Sequence, residues 1–206
     1  MTRSSSASTP QAVFDALYAR DSDPWNFETS PYEQAKYQAT LAALPARNYG
    51  AALEVGCSIG VLSRLLAQRC AALTAIDFAE QALVAARLRF RDLPQVRFLR
   101  AAVPAEWPAG RFDLIVLSEV LYFLSAVDIR RTARCVSASI DDGGVVLLVN
   151  YLGHTDTACD GDTAAELFIR AAHAARSSAA TSRRPLAPLR QCREPHYRLD
   201  LLARSG

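Results

Sequence analysis

Ala51-Ala-Leu-Glu-Val-Gly-Cys-Ser-Ile-Gly60 carries a short apolar run into a glycine turn, and a second apolar run, Leu73-Thr-Ala-Ile-Asp77, ends in an acid. A strand, a glycine turn, a helix and an acid about 20 residues further on make the βαβ unit that grips an adenosine ribose. The stretch therefore points to a nucleoside cofactor and to an α/β fold.

The turn narrows the choice of cofactor. A dinucleotide fold brings its backbone against a pyrophosphate and reads G-x-G-x-x-G/A. Here Ser58 stands at the second glycine position and Val61 at the third. A pyrophosphate fits such a turn poorly, whereas S-adenosyl-L-methionine (SAM) carries no phosphate and sets only an amino-acid tail and a ribose there. Glu54-x-Gly56-x-x-x-Gly60 resembles the first motif of class I SAM-dependent methyltransferases, and Asp77 resembles their ribose-binding acid.

Gly56-Cys57-Ser58-Ile59-Gly60 also matches G-x-S-x-G, the nucleophile elbow of α/β hydrolases. An elbow serine needs strands and an oxyanion loop upstream. The segment before Ser58 reads as helical and has no glycine-rich loop, so this is the weaker alternative. His154, His173 and His196 do not rescue it, since an acid precedes a histidine somewhere in most chains of this length.

The 206 residues suit a single α/β domain, half of them hydrophobic, with a formal net charge of +2. That balance drives the chain neither to nucleic acid nor to a membrane surface. Lys36 is the only lysine. Five cysteines, 57, 70, 135, 159 and 192, lack C-x-x-C spacing, so neither a disulfide framework nor a metal site is expected. The N-terminus has no apolar core of a signal peptide, and a cytoplasmic location is the expectation.

Residues 1–12 read as a disordered polar tail and 13–206 as one domain, with a helical cap over 13–45 and a Rossmann-like core over 51–206. A helix is expected from about Pro10 to Arg20. Ser30-Pro31-Tyr32-Glu33 supplies an N-cap, a first-turn proline and a capping-box glutamate for a second helix ending near Leu44. Strands are expected at 51–55, up to 77, 96–100, 112–117 and 145–150, with helices at 59–68, 80–91, 126–139 and 163–176 between and after them. Residues 141–144 read as a turn and 177–188 as a loop, followed by an antiparallel hairpin over 189–202. Alternation of this kind predicts a mostly parallel, seven-stranded sheet covered by helices on both faces.

Asp23-Pro24-Trp25, Phe27, Ser30, Tyr32-Glu33, Lys36-Tyr37 and Thr40-Leu41, with Leu53–Gly60, resemble the nodulation-S-type (NodS-like) SAM-dependent methyltransferases. Leu117-Ser-Glu-Val-Leu-Tyr122, Gly161-Asp162 and Tyr197-Arg-Leu-Asp-Leu-Leu202 extend the resemblance. It implies a class I methyltransferase fold and SAM as cofactor. The family's type member methylates the free amino group of a glucosamine in a chitooligosaccharide, so the acceptor implied is a small molecule, an amino sugar or oligosaccharide, taken by a monomer or weak homodimer.

The candidate cofactor residues begin with Gly56, Cys57, Ser58 and Gly60 in the turn, and with Asp77 and its neighbour Phe78. Glu54 orders the turn in the family; a buried ion pair with an arginine is its other reading. Many class I enzymes carry an acid after strand three that binds the adenine amino group. Ala102 stands there, leaving the base to the backbone of Ala102 and Val103 or to another side chain. Tyr32 and Lys36 share a helix face, so Lys36 is expected to meet the SAM carboxylate with Trp25 as a lid, or else to be solvated. Ser118 and Glu119 follow strand four, at the sheet edge where ligands bind. Methyl transfer depends on alignment and on loss of the acceptor proton, for which Glu119, His154 and Asp156 are the candidates. Tyr151 is expected in the acceptor pocket. The arginine-rich stretch beyond residue 170 leaves an anionic acceptor as an alternative, and a SAM-binding domain without catalysis is another.

Overall fold

The computed structural model describes residues 7–175 and 184–204. Two helices, α1 (Gln11–Arg20) and α2 (Pro31–Ala43), precede the sheet. The core then runs β1 (Tyr49–Val55), α3 (Val61–Leu66), β2 (Cys70–Asp77), α4 (Glu80–Arg89), β3 (Val96–Arg100), β4 (Phe112–Ser118), α5 (Ala126–Ser139), β5 (Ile140–Tyr151), α6 (Gly161–Ala174), β6 (Leu186–Arg193) and β7 (Tyr197–Arg204). Strand order is β3-β2-β1-β4-β5-β7-β6, parallel from β3 to β5, with β7 antiparallel to both neighbours. This is the class I methyltransferase arrangement.

Both faces of the central strands are buried, as the runs of apolar residues require. Leu53, Val55, Ile115 and Leu117 pack with α5 and α6 through Ile129, Val136 and Phe168. Ala52, Leu114 and Val116 pack on the other face with Tyr37, Leu62 and Leu66. Each large side chain so buried stabilises the fold by roughly 1.5–3 kcal/mol relative to exposure. The order of strand addition reverses between the parallel neighbours β1 and β4, which opens a crevice at their carboxyl ends.

Several boundaries differ from expectation. The expected turn at 141–144 is absorbed into β5: Phe112 pairs with Ile140, then Leu114 pairs with Val145, and the intervening residues bulge with Gly143 at φ 74°. The hairpin starts at Leu186, and α6 ends at Ala174. Residues 177–183 of the expected loop, and the last residue of the expected helix, 176, lie outside the described residues. The polar tail is built into the fold from its eighth residue: Ser8 Oγ donates to Asp128 Oδ2 at 2.7 Å, and Thr9 N–H donates to Phe123 O at 2.8 Å. Two start signals hold locally, since Ser30 Oγ accepts from Glu33 N–H and Pro31 opens α2. The Glu33 carboxylate does something else.

Gly161-Asp162 and the final strand are joined by charge. Arg198 forms ion pairs with Asp200, which is fully buried, and with Asp162 at the start of α6, both within 2.8 Å. Pairing is what makes a buried Asp200 tolerable. No helix among the described residues is long and apolar enough to cross a membrane.

Candidate active site

The carboxyl ends of β1, β2, β4 and β5, roofed by α1 and α2, enclose a cavity of about 1100 Å³. Gly56 at its floor has φ +81°, and a Cβ there would lie 2.7 Å from Ser118 O and closer still to Val120. The turn continues through Ser58 at φ 49° and Gly60 at φ +85° into α3. Only a chain without a side chain at Gly56 makes this bend, which leaves a backbone cradle beside the cavity.

Asp77 closes β2 under the same cradle. Its Oδ2 accepts from Ser58 N–H and its Oδ1 from Ala79 N–H, both at 2.9 Å. The Phe78 N–H also acts on this carboxylate, and the acceptor capacity left over suits a ribose hydroxyl. Burial raises the Asp77 carboxyl from its ordinary range, and the backbone bonds oppose that rise. The cavity exceeds the space of one cofactor, the glycine cradle is open, and Asp77 retains acceptors, so these residues fit SAM with an acceptor beside it.

α1 and α2 complete the roof. Tyr18 Oη lies 2.5 Å from Ser58 Oγ, tying α1 to the glycine turn. Trp25, 37% exposed, stacks on Phe27 with ring centres 5.5 Å apart, and Phe14 meets Phe78 edge-on at 4.7 Å. Trp25, Tyr32, Ser58, Phe78, Ala102, Val103 and Ser118 all line the cavity.

Lys36 is not solvated, and two of the three donors of its ammonium are taken by carboxylates of the protein. It is 3% exposed, donates to Glu33 Oε1 at 3.0 Å and to Glu119 Oε1 at 2.8 Å, and lies 5.2 Å from the centre of the Tyr32 ring. Glu119 sits at φ 58°, a conformation that swings its side chain off the end of β4 back toward α2. Its Oε2 accepts from Tyr122 Oη at 2.6 Å and from Tyr151 N–H at 3.0 Å. Three of the four lone-pair sites of Glu119 are thus occupied, and one on Oε1 remains.

Glu33 is the residue that sequence reasoning missed. Its cap-box position explained it too easily, whereas the folded chain turns its carboxylate toward Lys36 and the cavity wall. Burial raises its carboxyl, with Lys36 opposing the rise. Two carboxylates share one ammonium, so the cluster carries a net negative charge when all three groups are ionised.

Other expected residues stand elsewhere. His154 is exposed and off the cavity wall; Asp156, two residues on, lines the wall but is exposed to solvent. Cys57 and Gly60 shape the turn from behind without lining the cavity. His173 and His196 are exposed, as expected. Among the described residues, no group of three His, Cys, Asp or Glu is placed to hold a metal ion.

Glu54 is buried behind the turn, away from the cavity and without the arginine partner considered for it. No hydrogen bond of normal geometry reaches either of its oxygens, and burial pushes its carboxyl up from 4.5 to about 7, with nearby Ser63 opposing the rise. The folded chain therefore binds this proton more tightly than the unfolded chain, and stability is lost as pH rises from about 4.5 to about 7. The loss is about 3 kcal/mol. Glu54→Gln is expected to remove most of that slope, measured as urea unfolding free energy at pH 5 and pH 8. Equal slopes in the variant and the parent would clear Glu54 as its source.

Comparison with known proteins agrees with this geometry. Residues 10–147 match the family model described as nodulation protein S (NodS). Nodulation protein S of Bradyrhizobium diazoefficiens is 34% identical over 155 residues, covering 74% of this chain and 68% of that protein. The namesake from Sinorhizobium fredii is 36% identical over 54% of this chain, which spans about half, 52%, of that relative. Among solved structures, the N-methyltransferase NodS from Bradyrhizobium japonicum in complex with S-adenosyl-L-homocysteine (SAH) superposes with TM-score 0.77 at 22% identity, covering 95% of this chain and 98% of that one. A Pseudomonas syringae structure is 35% identical, with TM-score 0.69 over 84% of this chain and 99% of that chain. By sequence and by fold, the chain belongs to the nodulation protein S family of SAM-dependent methyltransferases.

Proposed function

We propose that this chain methylates an amino group on a small polar acceptor, with an amino sugar or oligosaccharide as the preferred class. The Glu33–Lys36–Glu119 cluster on the cavity wall carries the reading. Its excess negative charge favours an acceptor that arrives as an ammonium, and the remaining lone pair of Glu119 Oε1 suits an N–H donor. A hydroxyl acceptor needs a stronger base, and the two histidines near this edge, His154 and His196, are both off the cavity wall.

SAM, when bound, supplies an electrophilic methyl group on a sulfonium leaving group. Gly56, Ser58 and Asp77 would hold it, while Trp25 and Phe14 exclude water. Glu119 then orients the acceptor nitrogen and takes its proton, and Lys36, Tyr122 and the Tyr151 amide keep that carboxylate in place. A structural neighbour named as the N-methyltransferase NodS supports an amine acceptor.

The test is methyl transfer to a panel of glucosamine oligomers, their N-acetylated forms and hydroxyl-only sugars. Turnover is expected with free amines alone. Glu119→Gln is expected to lower kcat by about 10²–10³ while leaving SAH affinity unchanged. Turnover of hydroxyl-only sugars at comparable rates would sink the amine reading.

A further inference from the structure

The loop from β5 to α6 is bracketed at both ends by groups that hold Glu119. At its start, Tyr151 N–H donates to Glu119 Oε2 at 3.0 Å. At its end, Cys159 N–H lies 3.5 Å from Tyr122 O, and the Tyr122 hydroxyl donates to the same Glu119 oxygen at 2.6 Å. Within the loop the Tyr151 side chain lies against Gly153, where a Cβ would overlap its hydroxyl and ring. Tyr151, Thr155, Asp156 and Thr157 all line the cavity, so the loop forms a rim beside Glu119.

The protons of this rim can be followed one by one. Thr157 Oγ1 donates to Cys159 O at 2.9 Å, and a carbonyl oxygen only accepts. A hydroxyl has one proton, so in the 2.6 Å contact between Thr155 Oγ1 and Thr157 Oγ1 the donor is Thr155. Both threonine protons are thereby committed inside the loop. Thr155 Oγ1 keeps two lone pairs and Thr157 Oγ1 keeps one. Asp156, between them in the chain, adds a carboxylate, which accepts as well.

We infer that Thr155, Asp156 and Thr157 form a second substrate subsite, which takes an O–H or N–H donor carried by the methyl-accepting amine in addition to its reacting nitrogen. The substrate is then an amino alcohol or a diamine and not a simple amine. An analogue that presents an ether to the rim covers these oxygens without supplying a proton, and the site rejects it for the polar groups it leaves unpaired. The inference rests on the amine reading above and names the further group that such an amine carries.

Calorimetric titration of the full chain, saturated with SAH, reads binding without turnover. The probes are linear amino alcohols of increasing chain length, the methyl ethers of the same alcohols, and the matching diamines. At the length that spans Glu119 and the rim, the alcohol or the diamine is expected to bind about tenfold or more tightly than the ether, the effect of one hydrogen bond. The tighter of the two distinguishes an O–H from an N–H ligand. Thr157→Val returns the Thr155 proton to the cavity, and Asp156→Asn adds N–H donors there. Each is expected to cut the preference over the ether to about threefold, with SAH affinity unchanged. Ethers that bind as tightly as alcohols and diamines at every length would overturn the subsite alone, as would a preference that survives both substitutions. Failure of every amine to bind would overturn the amine reading together with it.

Discussion

Replacing Lys36 with methionine is expected to destabilise the protein by about 3–5 kcal/mol at pH 8, the cost of leaving buried carboxylates without their counter-charge. Among the described residues, Lys36 is the sole cation bonded to Glu33 Oε1 and Glu119 Oε1, at 3.0 and 2.8 Å. The pH dependence follows from the sign of the shift. Burial already raises the Glu33 carboxyl above 4.5, and removal of the ammonium raises it further. The folded variant then holds protons that the unfolded chain has released, so its stability falls as pH rises above about 4.5.

The deficit of Lys36→Met is therefore small near pH 5 and full near pH 8, measured by urea unfolding at both. Adding Glu33→Gln removes one of the stranded charges and is expected to restore part of the loss at pH 8 while activity stays low. A deficit equal at the two pH values would show that Lys36 acts by packing alone.

Gly56→Ala is expected to weaken SAH binding by about 100-fold, roughly 2.7 kcal/mol, and to lower stability by a similar amount. Two costs add at this position. Its φ of +81° is a region that a Cβ disfavours, and the new methyl would lie 2.7 Å from Ser118 O and closer to Val120. Val120→Ala relieves the side-chain clash but not the backbone one, so the double variant is expected to recover only part of the affinity. Calorimetry with SAH beside thermal melts of both variants checks this. Full affinity in Gly56→Ala would remove the glycine turn from the cofactor site.

The order of the strands and the cofactor turn were legible because they are local. Leu53-Glu-Val-Gly56 and Ala75-Ile-Asp77 declare strand, turn and acid over a few residues, and glycine at Gly56 meets a backbone demand that can be anticipated from its place after a strand. The 141–144 segment misled for the same reason: two aspartates and two glycines are turn formers in isolation. Pairing of Ile140 with Phe112 of β4 drew the strand back past that segment.

Charge pairing at the site was not legible. Lys36 and Glu33 lie one helical turn apart, and periodicity places both on a surface-like face of α2. Their meeting with Glu119, 83 residues further along, depends on how α2 lies over the end of β4. Burial then reversed the expected roles: Lys36 became a structural counter-ion, Glu33 left its capping box, and Glu54 became a carboxyl held up to about 7. His154 went the other way, onto an exposed loop. By itself the sequence determined the strand–turn–helix repeat, the glycine cradle and Asp77, because backbone conformation and hydrophobic periodicity are short-range properties. Which charged groups share the cavity, and which of them are ionised there, was decided only by tertiary structure, because desolvation and Coulomb energy depend on neighbours that the chain brings together from far apart.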